Sequence, residues 1–199
     1  MKNYVISSDI REKVYNYIFI ISIILSSGIA VLFNWLVKDI VATNIFVVYL
    51  NVFVLPTMGG INYLIKWLFN RYLWKIKFFQ KVLGVPNLVG KYVIEGKNNN
   101  GIEYSGTLHI NQTFSKISVK GIFANSQSNN IETYLSFDND EIVLHYHYIN
   151  EPKQKTGTMG IHYGFAEIIL TKDLQDGNGK YFNDEFRETS GHWQISKMQ

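Results

Sequence analysis

Residues 17–37 read YIFIISIILSSGIAVLFNWLV, and residues 40–65 read IVATNIFVVYLNVFVLPTMGGINYLI. Neither run holds a charged side chain, and only Lys38 and Asp39 separate them. A bilayer's hydrocarbon core, about 30 Å thick, takes roughly 20 apolar residues as helix. Both runs reach that length, so residues 17–65 read as a hairpin of two transmembrane helices. The rest of the chain is arranged around it. Residues 1–16 form a polar lead, residues 66–87 a basic aromatic juxtamembrane helix and linker, and residues 88–199 a β-rich domain.

Charge divides at the same boundary. Residues 1–87 carry 9 Lys and Arg against 3 Asp and Glu, while residues 88–199 carry 10 against 13. The excess base therefore sits beside the apolar runs and is no sign of DNA or RNA as a partner. Five cations and no acid lie between Lys66 and Lys81, which places that segment, the N-terminus and the C-terminal domain on the cytoplasmic side. The expected location is the bacterial inner membrane, with a multi-pass topology. There is no cysteine, so disulfides, thiolate catalysis and cysteine zinc sites are excluded. Gly28, Ile29 and Ala30 could serve a signal-peptide cleavage site, but the apolar run continues through Leu36 and Val37, which favours a retained span.

Within the first run Ser22, Ser26, Ala30 and Asn34 recur every four residues, and the second run carries Asn44 and Asn51. Small and polar residues on one helix face let backbones approach and hydrogen-bond in lipid. This stripe either glues the hairpin together or mediates self-association between protomers through Ser22, Ser26, Ala30, Asn34 and Asn51. Ser8 and Asp9 could cap a helix running into the first span, or the lead could fray. Pro56, Gly59 and Gly60 are expected to bend or weaken the second helix before an amphipathic segment rich in Trp and Lys.

Gly84-Val85-Pro86-Asn87 breaks the helical pattern, and beyond it the apolar period changes to 2. Strands are expected at about 88–95, 103–111, 115–123, 131–137, 141–149, 158–170, 180–183 and 190–197. Residues 126–130 and 176–179 read as turns by their Ser, Asn and Gly content. The fold class is thus a membrane α-helical hairpin plus an all-β domain, a small antiparallel β-barrel of about eight strands, with a sandwich as the alternative.

No phosphate-binding glycine loop, zinc-protease motif or nucleophile elbow is present. His145, His147 and His162 could conceivably share a metal, and Glu167 could act as a base; imidazoles on a half-buried sheet and a solvent-facing carboxylate account for them as well. No enzyme activity and no metal are expected. The segment 179–195, GKYFNDEFRETSGHWQI, is the most informative. Arg187 is the one arginine after Arg71, and its planar fork suits phosphate. Asn183, Thr189 and Ser190 add short donors, and Tyr181 and Trp193 offer stacking faces. Alternatively Arg187 closes the barrel over Tyr92, as arginines do in calycin barrels.

The layout as a whole resembles one family: two spans, a basic aromatic junction, entry through Leu88-Val89-Gly90-Lys91-Tyr92, a β-rich domain, and the closing Gly179-Lys180-Tyr181-Phe182-Asn183 and Arg187-Glu188-Thr189-Ser190-Gly191. It is the two-transmembrane β-barrel effectors of bacterial cyclic-oligonucleotide anti-phage signalling (CBASS). The resemblance implies that the barrel binds a cyclic dinucleotide made during phage infection. The protein then self-associates, and its spans disrupt the membrane. It implies Arg187 for phosphate, Thr189 and Ser190 as neighbouring donors, and Tyr181 or Tyr92 as a stacking surface. The cyclic dinucleotide is the activating ligand, and the partners are further copies of the chain and the bilayer. The competing function is a membrane-anchored calycin-like barrel holding a lipid or small apolar ligand.

Overall fold

The computed structural model describes residues 1–6, 10–37, 44–138, 141–153, 160–184 and 188–198, with the side chains of 33–34, 36–37, 44–57 and 137–138 outside the description. The chain divides into two compact units, Met1–Ser8 with Val85–Gln199, and Asp9–Gly84.

The unit Asp9–Gly84 is helical. Helix α1 spans Arg11–Val37 and α2 spans Asn44–Arg71. Among the described residues one helix, Arg11–Leu32, is long and apolar enough to cross a membrane. Ser22 and Ser26 are buried, and each hydroxyl donates to the carbonyl one turn back, on Ile18 and Ser22, at 2.7 Å. Asn62 Nδ2 of α2 donates to Ser22 Oγ at 3.3 Å. The small-residue stripe thus meets α2 of the same chain at Ser22. The side chains of Asn34 and Asn51 lie outside the described residues, as do Ser8, Asp9, Lys38 and Asp39. Helix α2 is continuous through Pro56, Gly59 and Gly60, so the expected weakening does not end the helix there. An apolar helix keeps its internal hydrogen bonds where no water can replace them, so proline is tolerated there. The break comes later. A 3₁₀ turn at Leu73–Lys75 and helix α3 at Lys77–Leu83 follow, and Gly84 at φ 62° ends α3.

The other unit is an eight-stranded antiparallel barrel with a two-part N-terminal strand added. The added pieces are β1 (Lys2–Asn3) and β2 (Val5–Ile6). The barrel strands are β3 (Gly90–Asn98), β4 (Glu103–Gln112), β5 (Lys116–Phe123), β6 (Ser126–Asp138), β7 (Glu141–Pro152), β8 (His162–Leu170), β9 (Asp176–Asn183) and β10 (Ser190–Lys197). Each pairs with its sequence neighbour, and β10 returns to β3. Strands β5 and β6 close the ring over only three pairs, Lys120–Asn129, Gly121–Ser128 and Ile122–Gln127.

Below those pairs the two strands part. A bulge between Asn130 and Glu132 turns β6 away. Asn130 Oδ1 then accepts the Val119 backbone N–H at 3.0 Å, and its Nδ2 donates to Thr133 Oγ1 at 2.8 Å. The N-terminus fills the remaining gap. Strand β1 pairs antiparallel with Lys116 and Ile117, and β2 pairs parallel with Tyr134 and Leu135. Residues 2–6, expected as a helix lead or a frayed tail, are therefore part of the barrel wall. An open seam would leave buried peptide groups unpaired, and this insertion satisfies them.

Tyr4 anchors the insertion. It is 1% exposed, and its hydroxyl donates to Phe114 O at 3.1 Å and accepts from Gln112 Nε2 at 3.2 Å. Gln112 also donates to Pro86 O and accepts the Leu88 N–H at 2.8 Å. One buried amide thus ties together the N-terminus, the barrel entry and β4. Tyr92 lies in the same closed end, fully buried, and its hydroxyl donates to Leu88 O. Lys197, its register partner on β10, holds Nζ 5.5 Å from the Tyr92 ring centroid. The cation over the first-strand aromatic is this lysine, and Arg187 lies outside the described residues.

Two outcomes are expected from this closed end. Tyr4→Ala should lower the unfolding free energy of the full chain in detergent by about 3 kcal/mol. Val5→Ala, at an exposed position, should stay within about 0.5 kcal/mol. Equal effects in urea titrations would show that the N-terminal strand does not hold the seam. Burial pushes the Tyr92 phenol up to about 12, against about 10 in an unfolded chain. The neutral phenol is the form the fold favours, so this stabilisation is intact below pH about 10 and is lost as the pH rises towards about 12. The urea midpoint should fall across that window, and Tyr92→Phe should fall less steeply.

Candidate ligand cavity in the barrel lumen

The inward positions change character along each strand. On β7 they run Ile142, Leu144, Tyr146, Tyr148, Asn150, all buried. On β8, read towards the same end, they run Leu170, Ile168, Ala166, Gly164, His162. The half of the lumen near Tyr92 is filled by Ile94, Leu108, Ile110, Val119, Leu135 and Ile195 among others. The other half carries aromatic, hydroxyl and amide groups.

A set of glycines lies between the halves. Each faces an aromatic ring on its cross-strand partner. The register pairs are Gly96–Tyr104, Gly106–Phe123, Gly164–Tyr148, Gly179–Trp193 and Gly191–Tyr181. A Cβ at Gly179 would fall 1.3 Å from Trp193 Nε1, and one at Gly164 would fall 2.4 Å from the Tyr148 hydroxyl. The rings therefore lie down over bare backbone instead of standing into the lumen. Tyr181 and Trp193, diagonal neighbours across β9 and β10, stack at 5.3 Å with planes 15° apart. Tyr104 meets Tyr181 edge-on at 5.8 Å.

Laying the rings flat leaves a cavity of about 520 Å³. Tyr104, Phe123, Tyr181 and Trp193 supply its aromatic side, and Ser126, Ser128, Asn150 and His162 a polar side. Tyr148 reaches across Gly164 to donate to Asn183 Oδ1 at 2.8 Å, and Asn183 Nδ2 donates to Thr189 Oγ1 at 2.6 Å. Burial above all, then the neighbouring Tyr181 hydroxyl, pushes the Tyr104 phenol well up, and burial does the same for Tyr146. Both stay protonated, so the lumen offers neutral donors. Among the described residues the lining includes no Lys or Arg.

The sequence-derived site residues divide accordingly. Tyr181, Asn183 and Thr189 line the cavity. Ser190 sits at the rim, where its backbone pairs with Asn99 at the β3–β4 turn. Tyr92 lies in the opposite end of the barrel. Arg187 falls in the sequence between Asn183 and Thr189 and lies outside the described residues. His145 and His147 take outward positions on β7 while His162 faces the lumen, so these three imidazoles cannot share a metal. Glu167 is on the outer face, 2.8 Å from Lys180 Nζ and 3.4 Å from His145 Nδ1. Ser126, Ser128 and Asn150 were missed because polar residues in a row read as turn or solvent face. Their signal is the alternation itself, which continues at period 2 from the apolar half of each strand.

Residues 83–197 match the family model described as Cap15, cyclic dinucleotide receptor domain. The chain is also 32% identical over 152 residues to CD-NTase-associated protein 15 of Yersinia aleksiciae, an alignment covering 75% of this chain and 73% of that relative.

The glycine floor can be checked directly. Gly179→Ala should displace Trp193 from its seat, shift tryptophan emission to longer wavelength and cost about 1–3 kcal/mol of stability. Gly160→Ala, where a Cβ meets nothing within 4 Å, should leave both unchanged. An unshifted emission in Gly179→Ala would contradict the packing described.

Proposed function

The chain belongs to the Cap15 cyclic dinucleotide receptor family of CBASS effectors, and from that membership we propose that its barrel lumen captures a cyclic dinucleotide and that capture commands the helical unit in a membrane. The observation that supports this is the cavity itself. At about 520 Å³ it lies in the range of small-molecule sites. It combines stacking faces with amide and hydroxyl groups, the mixture that planar bases and sugar-phosphate oxygens require.

The phosphates need cations. Arg187, which stands in the sequence between the cavity-lining Asn183 and Thr189, serves as the phosphate clamp. Tyr181, with Trp193 behind it, is the stacking surface. Tyr92, packed at the other end, takes no part. No bond is made or broken in this scheme. A lipid or apolar ligand fits less well, because an acyl chain would leave Asn150 Oδ1, which has no partner among the described residues, desolvated.

Helices α1 and α2 form the two membrane spans of an inner-membrane protein, with the barrel in the cytoplasm. Residues 7–10 alone separate β2 in the barrel wall from α1. The ring closes weakly where β5 and β6 bring Phe123, Ser126 and Ser128 to the cavity. Ligand at that seam bears on the inserted N-terminal strand and through it on α1. Binding favours an associated state only if the ligand prefers that state. Self-association of liganded copies then disrupts the bilayer.

The test is calorimetry of the full chain in detergent against a panel of cyclic dinucleotides, with dye release from liposomes in parallel. At least one cyclic dinucleotide should bind at micromolar concentration or below and trigger release. Arg187→Ala and Trp193→Ala should each weaken binding by about tenfold or more. No heat from any cyclic dinucleotide, with binding of a fatty acid instead, would overturn the reading in favour of the calycin-like alternative.

A further inference from the structure

Asn150 and His162 face each other inside the cavity as register partners of β7 and β8. They are 7% and 5% exposed. His162 Nδ1 lies 3.1 Å from the Gly160 carbonyl oxygen. A carbonyl only accepts, so Nδ1 carries the ring proton. In an imidazole holding one proton, Nε2 is then the acceptor. It lies 3.2 Å from Asn150 Nδ2, which donates to it. The histidine thereby settles which way the amide points. With its nitrogen turned to His162, Asn150 Oδ1 faces away. That oxygen is buried in a cavity-lining residue and has no hydrogen-bond partner among the described residues.

A buried acceptor left without a donor by the fold is completed by water or by a ligand, and this one lines the cavity. Phosphate oxygens cannot complete it, because they too accept. Base edges carry N–H groups, and an exocyclic amine beside a ring nitrogen matches an amide that offers an oxygen and one remaining N–H. Resting on the cyclic dinucleotide reading above, we infer that Asn150, oriented by His162, reads one base of the ligand by accepting the exocyclic amine of an adenine-type edge. His162 is a positioning residue here. It holds the amide so that a carbonyl oxygen presented at the same place meets Oδ1 and is repelled.

The sharpest probe changes the ligand and leaves the protein intact. Cyclic di-AMP and its inosine counterpart share sugars, phosphates and the N7 acceptor; inosine replaces the C6 amine by a carbonyl and gains a hydrogen on N1, so at the N6/N7 edge the difference is amine against carbonyl. Calorimetry of the full chain in detergent should show the adenine ligand binding at least about tenfold more tightly. Asn150→Leu, verified as folded by circular dichroism, should bring the two affinities together, lowering the adenine affinity and not the inosine affinity. His162→Phe frees the amide to turn and should also narrow the gap. His162→Gln, whose carbonyl oxygen can accept the Asn150 N–H, should restore it.

Equal affinities of the wild type for the two ligands would overturn the inference, as would equal losses for both in Asn150→Leu. Should other cyclic dinucleotides bind while both of these fail, capture stands and the assignment of Asn150 falls. If no cyclic dinucleotide binds, both fall together.

Discussion

An aromatic ring can lie flat against a β-sheet only where the residue beneath it has no side chain. That steric condition shapes the upper lumen of this barrel. Five register pairs place glycine under Tyr104, Phe123, Tyr148, Trp193 and Tyr181. A small barrel normally fills its interior with side chains. Here the apolar half does so, and the glycine half does not. The same glycines that create room also fix the rings around it, so volume and stacking surface arise from one device. Substituting a larger residue beneath a ring would push that ring into the cavity.

The second constraint is closure. An eight-stranded ring must pair its last edge, yet β5 and β6 meet over only three residue pairs before they diverge. The chain solves this with material from its own beginning. Lys2–Ile6 enters the split, Tyr4 buries its ring there, and Gln112 joins it to the segment that enters β3. The N-terminus and the barrel entry, the two ends that continue into helices, are thus bound by one amide at the closed end. The weakest part of the wall is also the part attached most directly to α1.

Much of the architecture was legible in the sequence. Period-2 alternation located all eight barrel strands, because one face of each strand is buried. Gly84 marked the end of the helical segment, where it adopts the left-handed conformation that glycine favours. The misreadings have physical causes. Ser126–Asn130 and Asp176–Gly179 looked like turns, yet they are strand. A turn and the wall of a polar cavity draw on the same residue types, and a glycine under a ring looks like a glycine in a bend. Tyr92 is a separate matter: its type suits stacking, while its full burial in the closed end of the barrel is set by register. The N-terminal strand was illegible because five residues carry no period. Pro56 was expected to bend or weaken the second helix, and the helix is continuous through it, since apolar helices tolerate proline. Tyr181, Asn183 and Thr189 could be singled out because they cluster in sequence, whereas Asn150 and His162 come together only through the β7–β8 register.

The central claim is that the glycine-floored half of the lumen is where the activating ligand sits. A structure of the full chain in detergent, determined with a bound cyclic dinucleotide, addresses it most directly. Ligand density should fill the space between the Tyr181–Trp193 stack and Asn150. Density on the outer face of the barrel, with the lumen unchanged, would contradict it.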